Sequence, residues 1–297
     1  MKFRTEYNPE VAGRLLDPLM PVVLVGSCFT DSIGARMRVC RWPSLANPCG
    51  VLYNPASIAN ILSLSADDDE KKVLAAVKRS IVSRDGLFLS WLTDSKTCGT
   101  SEAETADTLI GKLSEIKEAL AVAGVLIVTF GTSWIYELSD SPGYIVSNCH
   151  KFPSKDFIRR RLSVDEIVST WESTVERMRV LNPDLRLIFT VSPIRHLKDG
   201  FEGNARSKAT LLLACEKLCT EIKGIKGADY FPAYEIITDD LRDYRFYADD
   251  LLHPSSLAVT YVWEKFCKRY LSERSRQILA EGEKITKAMN HRPNIQL

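Results

Sequence analysis

Short, continuous apolar runs alternate with longer stretches of helical spacing along most of this chain. Pro21 to Val25, Val125 to Phe130 and Leu185 to Val191 read as strands buried on both faces, and Ala228 to Phe231 as a shorter last one. Leu109, Leu113, Ile116 and Leu120 place an amphipathic helix over 101–120. Val168, Trp171, Val175 and Met178 place another behind the capping box Ser163-Val-Asp-Glu166. A third helix runs from about Asn204 to Lys223, with Cys215 and Cys219 one turn apart as core packing. The final helix begins near Pro254 and runs towards Ala288. Asn54 reads as an N-cap with Pro55 at the first helical position, and Ile58, Ile61 and Leu62 give that helix its apolar face. Asp67 to Lys72 reads as a solvated helix start. Cys40 to Ala46, interrupted by Pro43, reads as an edge strand. Asp85-Gly86 between β-favouring runs reads as a hairpin inserted outside the main alternation. Residues 1–20 form an irregular lead-in.

Buried strands alternating with amphipathic helices call for a mostly parallel sheet with helices on both faces. Right-handed crossovers then bring the carboxyl ends of all strands to one rim. Cys28, Ser133 and Arg195 each fall just past such an end, so residues far apart in sequence are expected to share one crevice. No linker rich in Gly, Ser or Pro and no internal repeat divides the 297 residues, so one domain, 1–297, is expected, with its core over about 20–270.

Composition narrows the function classes. Hydrophobic residues make up 45% and charged residues 26%, an ordinary globular balance. The 39 basic and 38 acidic residues nearly cancel, which argues against a nucleic-acid footprint. No apolar run approaches the roughly 20 residues that span a bilayer, so no membrane insertion is expected. Glu6, Glu10 and Asp17 make the amino end a poor secretion signal. Eight scattered cysteines, without a CxxC pair or zinc spacing, fit free thiols in a reduced, cytoplasmic setting. No cofactor or metal is expected, and the expected partner is a small-molecule ester.

Two stretches carry candidate chemistry. Gly26-Ser27-Cys28 turns the chain at the end of the first buried strand, just before Thr30-Asp31-Ser32 open a helix. Far along the chain, Tyr247-Ala-Asp-Asp-Leu-Leu-His-Pro-Ser255 holds Asp250 and His253 in one turn, with Pro254 expected as the first helical residue. A carboxylate beside an imidazole fixes the ring tautomer and stabilises the imidazolium once the ring has taken a proton. A thiol at a helix N-terminus beside His253 is expected to have a lowered pKa, which favours Cys28 as nucleophile over Ser27. Ser27 stays open as the alternative.

Gly26-Ser-Cys-Phe29 followed distantly by Asp250-x-x-His253 resembles the GSCFA family, itself similar to the SGNH/GDSL hydrolase superfamily. Asn47-Pro-Cys-Gly-Val-Leu-Tyr-Asn-Pro55, Phe130-Gly-Thr-Ser133, Asn148-Cys-His-Lys151 and Val191-Ser-Pro-Ile-Arg-His196 fit the same family, over roughly residues 20 to 265. The resemblance implies a three-layer α/β/α flavodoxin-like fold with a five-stranded sheet, and acyl transfer to water or another acceptor. The superfamily's first block is Gly-Asp-Ser; here Cys28 stands at the place of the nucleophilic Ser, and Ser27 at that of the Asp. Gly50 matches the glycine whose N–H binds the oxyanion. The third block is Gly-x-Asn, and here Ser133 stands at the place of its Asn, with Asn54 or Asn148 as candidate substitutes. Asn148, His150, Arg195 and His196 are candidate substrate contacts, Arg195 through its planar fork to a carboxylate or phosphate.

Two functions are compatible with these residues. One is an ester hydrolase or acyltransferase, a sugar O-acetyl ester being the substrate guess by analogy. The other is a binding protein on the same scaffold that has lost hydrolysis, since both the Gly-Asp-Ser triplet and the third-block Asn are altered.

Overall fold

The computed structural model describes residues 4–220 and 228–290. Strands β1 (Val22–Gly26), β2 (Ser44–Ala46), β6 (Val125–Phe130), β10 (Arg186–Val191) and β11 (Ala228–Tyr230) form the central sheet. Every pairing in it is parallel, in the order β11-β10-β6-β1-β2. Renumbered along the chain, this is the flavodoxin-like order 2-1-3-4-5, whose direction reverses between β1 and β6. The expected three-layer α/β/α arrangement is therefore present, with the Pro43-interrupted segment at the sheet's edge.

Alternation along each strand sorts side chains onto two cores. Val23 and Val25, with Leu126, Val128, Leu187 and Phe189, join the core under α2 (Pro55–Ser65), α3 (Glu70–Ser80), α4 (Glu102–Val122), α5 (Val164–Leu181) and α6 (Gly200–Thr220). Val22 and Leu24, with Val125, Ile127 and Ile188, join the core under α1 (Cys28–Val39), α7 (Ala233–Glu235) and α8 (Ser256–Tyr270). The helix α9 (Glu273–Asn290) adds Leu279 to that second core. Fully burying one such aliphatic or aromatic side chain is worth roughly 1.5–3 kcal/mol, so these two layers dominate what holds the sheet in place.

The helix starts follow their caps. Asn54 accepts from the Ser57 N–H with Pro55 at the first position, and Ser101 accepts from the Glu104 N–H. Ser163 and Glu166 close the reciprocal capping box of α5. Several boundaries differ from the sequence expectation. The helix after β1 begins at Cys28 itself, with Ser27 extended as its N-cap, because Gly26 absorbs the turn at φ 143°. The helix expected from Asn204 already starts at Gly200, and its expected end at Lys223 lies outside the described residues. The long final helix is two helices: Leu271 is extended at the end of α8, and the Ser272 hydroxyl accepts from the Ser275 N–H to open α9. Ser255, not the residue before Pro254, is the N-cap of α8.

Two small antiparallel sheets lie outside the central one. The first contains the expected hairpin, β3 (Ile81–Arg84) and β4 (Leu87–Ser90) around Asp85-Gly86, with β5 (Cys98–Gly99) added. The second pairs β7 (Trp134–Leu138) with β8 (Ser141–Val146) and with β9 (Phe157–Arg161). Nothing in the sequence reading anticipated this second sheet. Its strands mix polar and apolar residues on both faces, and Pro142 and Gly143 interrupt β8, so the period-2 signal is weak.

Candidate active site

The rim at the reversal point is built from the loops after β1 and β6. Gly26 pairs with Thr129 across these strands, so the segments carrying Cys28 and Gly131 leave the sheet side by side. A Cβ on Gly26 would lie 2.2 Å from the Thr129 carbonyl oxygen, which is why the turn needs glycine there. Asn47 locks the turn: its Oδ1 accepts the Gly26 N–H at 2.8 Å and its Nδ2 donates to Asp31 at 2.7 Å.

The last loop supplies the candidate base. Cys28 Sγ lies 3.4 Å from His253 Nε2, and His253 Nδ1 lies 2.6 Å from Asp250 Oδ2. The other carboxylate oxygen of Asp250 accepts the N–H groups of Leu252 and His253, each at 2.9 Å. Those two N–H groups and the imidazole together hold the Asp250 carboxyl down at about 2. The carboxylate can only accept, so it fixes the proton on Nδ1 and turns the Nε2 lone pair to the thiol. The loop is closed by Ala248 donating to the His253 carbonyl at 2.7 Å and by the bridge between Tyr247 and Pro254. Leu251 pays for this tightness with φ 59°, a region bulky L-residues rarely occupy.

Cys28 is half-buried, and Ser27 is 1% exposed with its hydroxyl lacking any hydrogen-bond partner among the described residues. Of the two side chains, the thiol therefore meets the imidazole. Its electrostatics differ from the sequence expectation. Burial pushes the Cys28 thiol above its ordinary value, and the N–H groups of Cys28 and Phe29 offset this only in part. Desolvation outweighs the helix N-terminus because the sulfur sits against the apolar end of the sheet.

The remaining site candidates separate clearly. His196 lies on this rim: its ring meets Tyr53 edge-on at 5.4 Å and hangs over Gly131. Arg195 reaches the neighbouring loop instead, donating to the Tyr244 hydroxyl at 2.9 Å, with its guanidinium 5.3 Å from the ring centroids of Tyr244 and Tyr247. It braces the segment that carries His253. Gly50, at φ 80°, donates its N–H to the Asn47 carbonyl at 2.8 Å, so this N–H is engaged in a turn. The Ser133 hydroxyl is fully buried and donates to Ser207 Oγ at 3.2 Å.

Three expected contacts are engaged by neighbours within the fold. Asn54 is buried, its side chain spent on Ser57. Asn148 accepts the His150 N–H at 2.8 Å in a tight turn. His150 is 4% exposed, with its ring nitrogens 2.8 Å from the Ser90 carbonyl and 2.9 Å from Ser95 Oγ. Asn54 thereby caps α2, and His150 ties the end of β4 to the Ser95 turn.

One residue at the rim was missed by sequence reasoning. Lys208, 1% exposed, donates to the carbonyls of Gly131 at 2.6 Å and Ser192 at 2.7 Å, tying together the ends of β6 and β10. Burial brings its ammonium down to about 7. Asn204 and Ser207 from the same helix bond the His196 N–H and the Ser133 N–H. A polar Asn204, Ser207, Lys208 stripe continues into buried Leu211, Cys215 and Leu218, and that switch within one helix face was the available signal.

The profile of the GSCFA family matches residues 21–266, and the chain belongs to the GSCFA family. No curated protein matches it in sequence. Among solved structures, it is similar to a carbohydrate esterase family 3 protein from Talaromyces cellulolyticus at 8% identity and TM-score 0.36, covering 89% of this chain and 99% of that one. It is similar to the acetyl xylan esterase Est2A from the rumen bacterium Butyrivibrio proteoclasticus at 14% identity and TM-score 0.36, covering 88% of this chain and 64% of that one. A carbohydrate esterase family 2 enzyme with a carbohydrate-binding domain, from Corynascus thermopiles (Myceliophthora fergusii), aligns at 13% identity and TM-score 0.30 over 53% of this chain and 37% of its own. Likenesses this distant carry no weight for substrate or mechanism.

Proposed function

We propose that this protein hydrolyses or transfers small acyl groups from oxygen esters through a thioester on Cys28. The observation that carries the reading is the relay itself, sulfur to imidazole at 3.4 Å and imidazole to carboxylate at 2.6 Å. Because burial favours the protonated thiol, His253 Nε2 takes the S–H proton as sulfur bonds to the acyl carbon. The carbonyl oxygen becomes an oxyanion beside the N–H groups of Cys28 and Phe29 at the start of α1. Collapse of the intermediate breaks the bond to the alkoxy oxygen, which receives its proton from the His253 imidazolium. Water, or a sugar hydroxyl in the transfer case, then loses a proton to His253 and attacks the thioester, returning the thiol. Asp250 holds the ring in place and stabilises its charged form throughout.

A sugar O-acetyl ester is the first substrate class to assay, by the family's resemblance to SGNH hydrolases. The engaged Gly50 N–H and the buried Ser133 favour a second reading, a ligand-binding protein without turnover. A chromogenic acetyl ester assay separates the two. The wild type and Ser27→Ala are expected to turn over, while Cys28→Ala and His253→Ala fall to background. Equal rates in all four proteins sink the hydrolase reading.

A further inference from the structure

The proposed chemistry leaves one requirement unfilled, a side-chain donor facing the acyl oxygen from the β6 side of the rim. Gly50 and Ser133 are spent on Asn47 and Ser207. The Gly131 and Thr132 N–H groups are likewise spent, both on the Tyr53 carbonyl, at 2.7 and 3.0 Å. His196 is different. Among the described residues neither of its ring nitrogens has a hydrogen-bond partner, and the ring is only partly buried. Its Nε2 would lie 3.4 Å from a Cβ on Gly131, just past the end of β6 beside β1, and the ring is near enough to His253 to feel its charge. The ring is held from both sides: Tyr53 packs edge-on against it, and Asn204 accepts its backbone N–H at 3.0 Å.

We propose that His196 is the side-chain oxyanion donor of this site, presenting a neutral imidazole N–H where the superfamily's third block presents an amide. The inference rests on the esterase reading above. Burial, then the Lys208 and His253 charges, bring the His196 imidazole down to about 4, so near neutral pH it carries one proton and no charge. A neutral ring can donate to an oxyanion without competing with His253 for the proton in transit. A Cβ at Gly131 would lie 3.0 Å from the Tyr53 carbonyl oxygen and 3.4 Å from Nε2, so glycine keeps the space under the ring open.

Two substitutions test this. His196→Phe keeps the edge contact with Tyr53 and removes the N–H; His196→Gln keeps an N–H donor without the ring. His196→Phe is expected to lower kcat for an acetyl ester on the order of 100-fold with little change in KM, and His196→Gln to recover a substantial part. Alkylation of Cys28 by iodoacetamide develops no carbonyl oxyanion at the thiol's target carbon. Its rate should be the same in wild type and both variants, which also reports that the site is folded. If the wild type turns over and His196→Phe matches it, or if Tyr53→Phe shows the loss instead, this inference fails and the esterase reading stands. A parallel loss of alkylation in His196→Phe also overturns it, because the residue would then act through the thiol. No turnover by the wild type, with Cys28 no more reactive than other cysteines, overturns both.

Discussion

His253 and His150 stand in two regions that look alike in sequence and differ in what their nitrogens touch. Each occupies a polar loop, and each has a cysteine within reach, Cys28 in space and Cys149 in sequence. His150 is sealed under Trp91, its ring centroid 5.6 Å away, with one nitrogen on the Ser90 carbonyl and the other on the Ser95 hydroxyl. Its burial lowers its affinity for a proton. His253 keeps nearly half its side chain in solvent, with one nitrogen on a carboxylate and the other on a thiol. An imidazole whose two nitrogens both serve the fold is a strut; one that leaves a lone pair facing a nucleophile can move a proton. The residue type alone does not separate the two.

Replacing the carboxylate should expose that contrast most strongly. Asp250→Asn can present an NH2 group to Nδ1 and so reverse the tautomer, and ester turnover is expected to fall between about 100- and 10,000-fold. The same pair predicts a pH signature. Asp250 is held near 2 in the folded chain against an ordinary 3.8, so its stabilising contribution is present above about pH 4 and fades as pH falls through 2. Thermal midpoints of wild type and Asp250→Asn should differ at pH 5 and converge towards pH 2. Midpoints that stay parallel would break the assignment of the low value to the pair.

His150→Phe should behave in the opposite way. It removes the ring's bonds to the Ser90 carbonyl, which keeps the Thr93 N–H, and to the exposed Ser95 hydroxyl, and unfolding in urea should show a loss of about 0.5–1.5 kcal/mol. Turnover per folded molecule should hold at the wild-type level; a drop comparable to that of Asp250→Asn would put His150 in the chemistry after all. The smallest effect expected is in thiol reactivity. Burial pushes the Cys149 thiol up to about 11, with no base beside it. Mass spectrometry of limited iodoacetamide labelling near neutral pH should find Cys28 modified several-fold ahead of Cys149, and His253→Ala should erase the lead.

The strands that build the reactive rim were legible because they are buried on both faces and read as unbroken apolar runs. So were the caps at Asn54 and Ser163, whose side chains act locally. The second antiparallel sheet was not, since β7 to β9 find their partners only by tertiary pairing. At the site, the Cys28, Asp250 and His253 grouping followed from the motifs. The fate of Gly50, Ser133, Asn148 and His150 did not, because each was decided by a hydrogen-bond partner distant in sequence or by a turn no pattern announces. The direction of the Cys28 shift was missed for a related reason: a helix N-terminus is visible in sequence, and the depth of the sulfur is not.

The contact between sulfur and imidazole spans 225 positions. During synthesis the thiol emerges early and the ring among the last segments of the α/β core, so a nascent chain carries an unassisted cysteine until α8 docks. On the proposed chemistry, a truncation before Asp250 should yield a protein that forms no acyl thioester on Cys28, however much of its sheet survives.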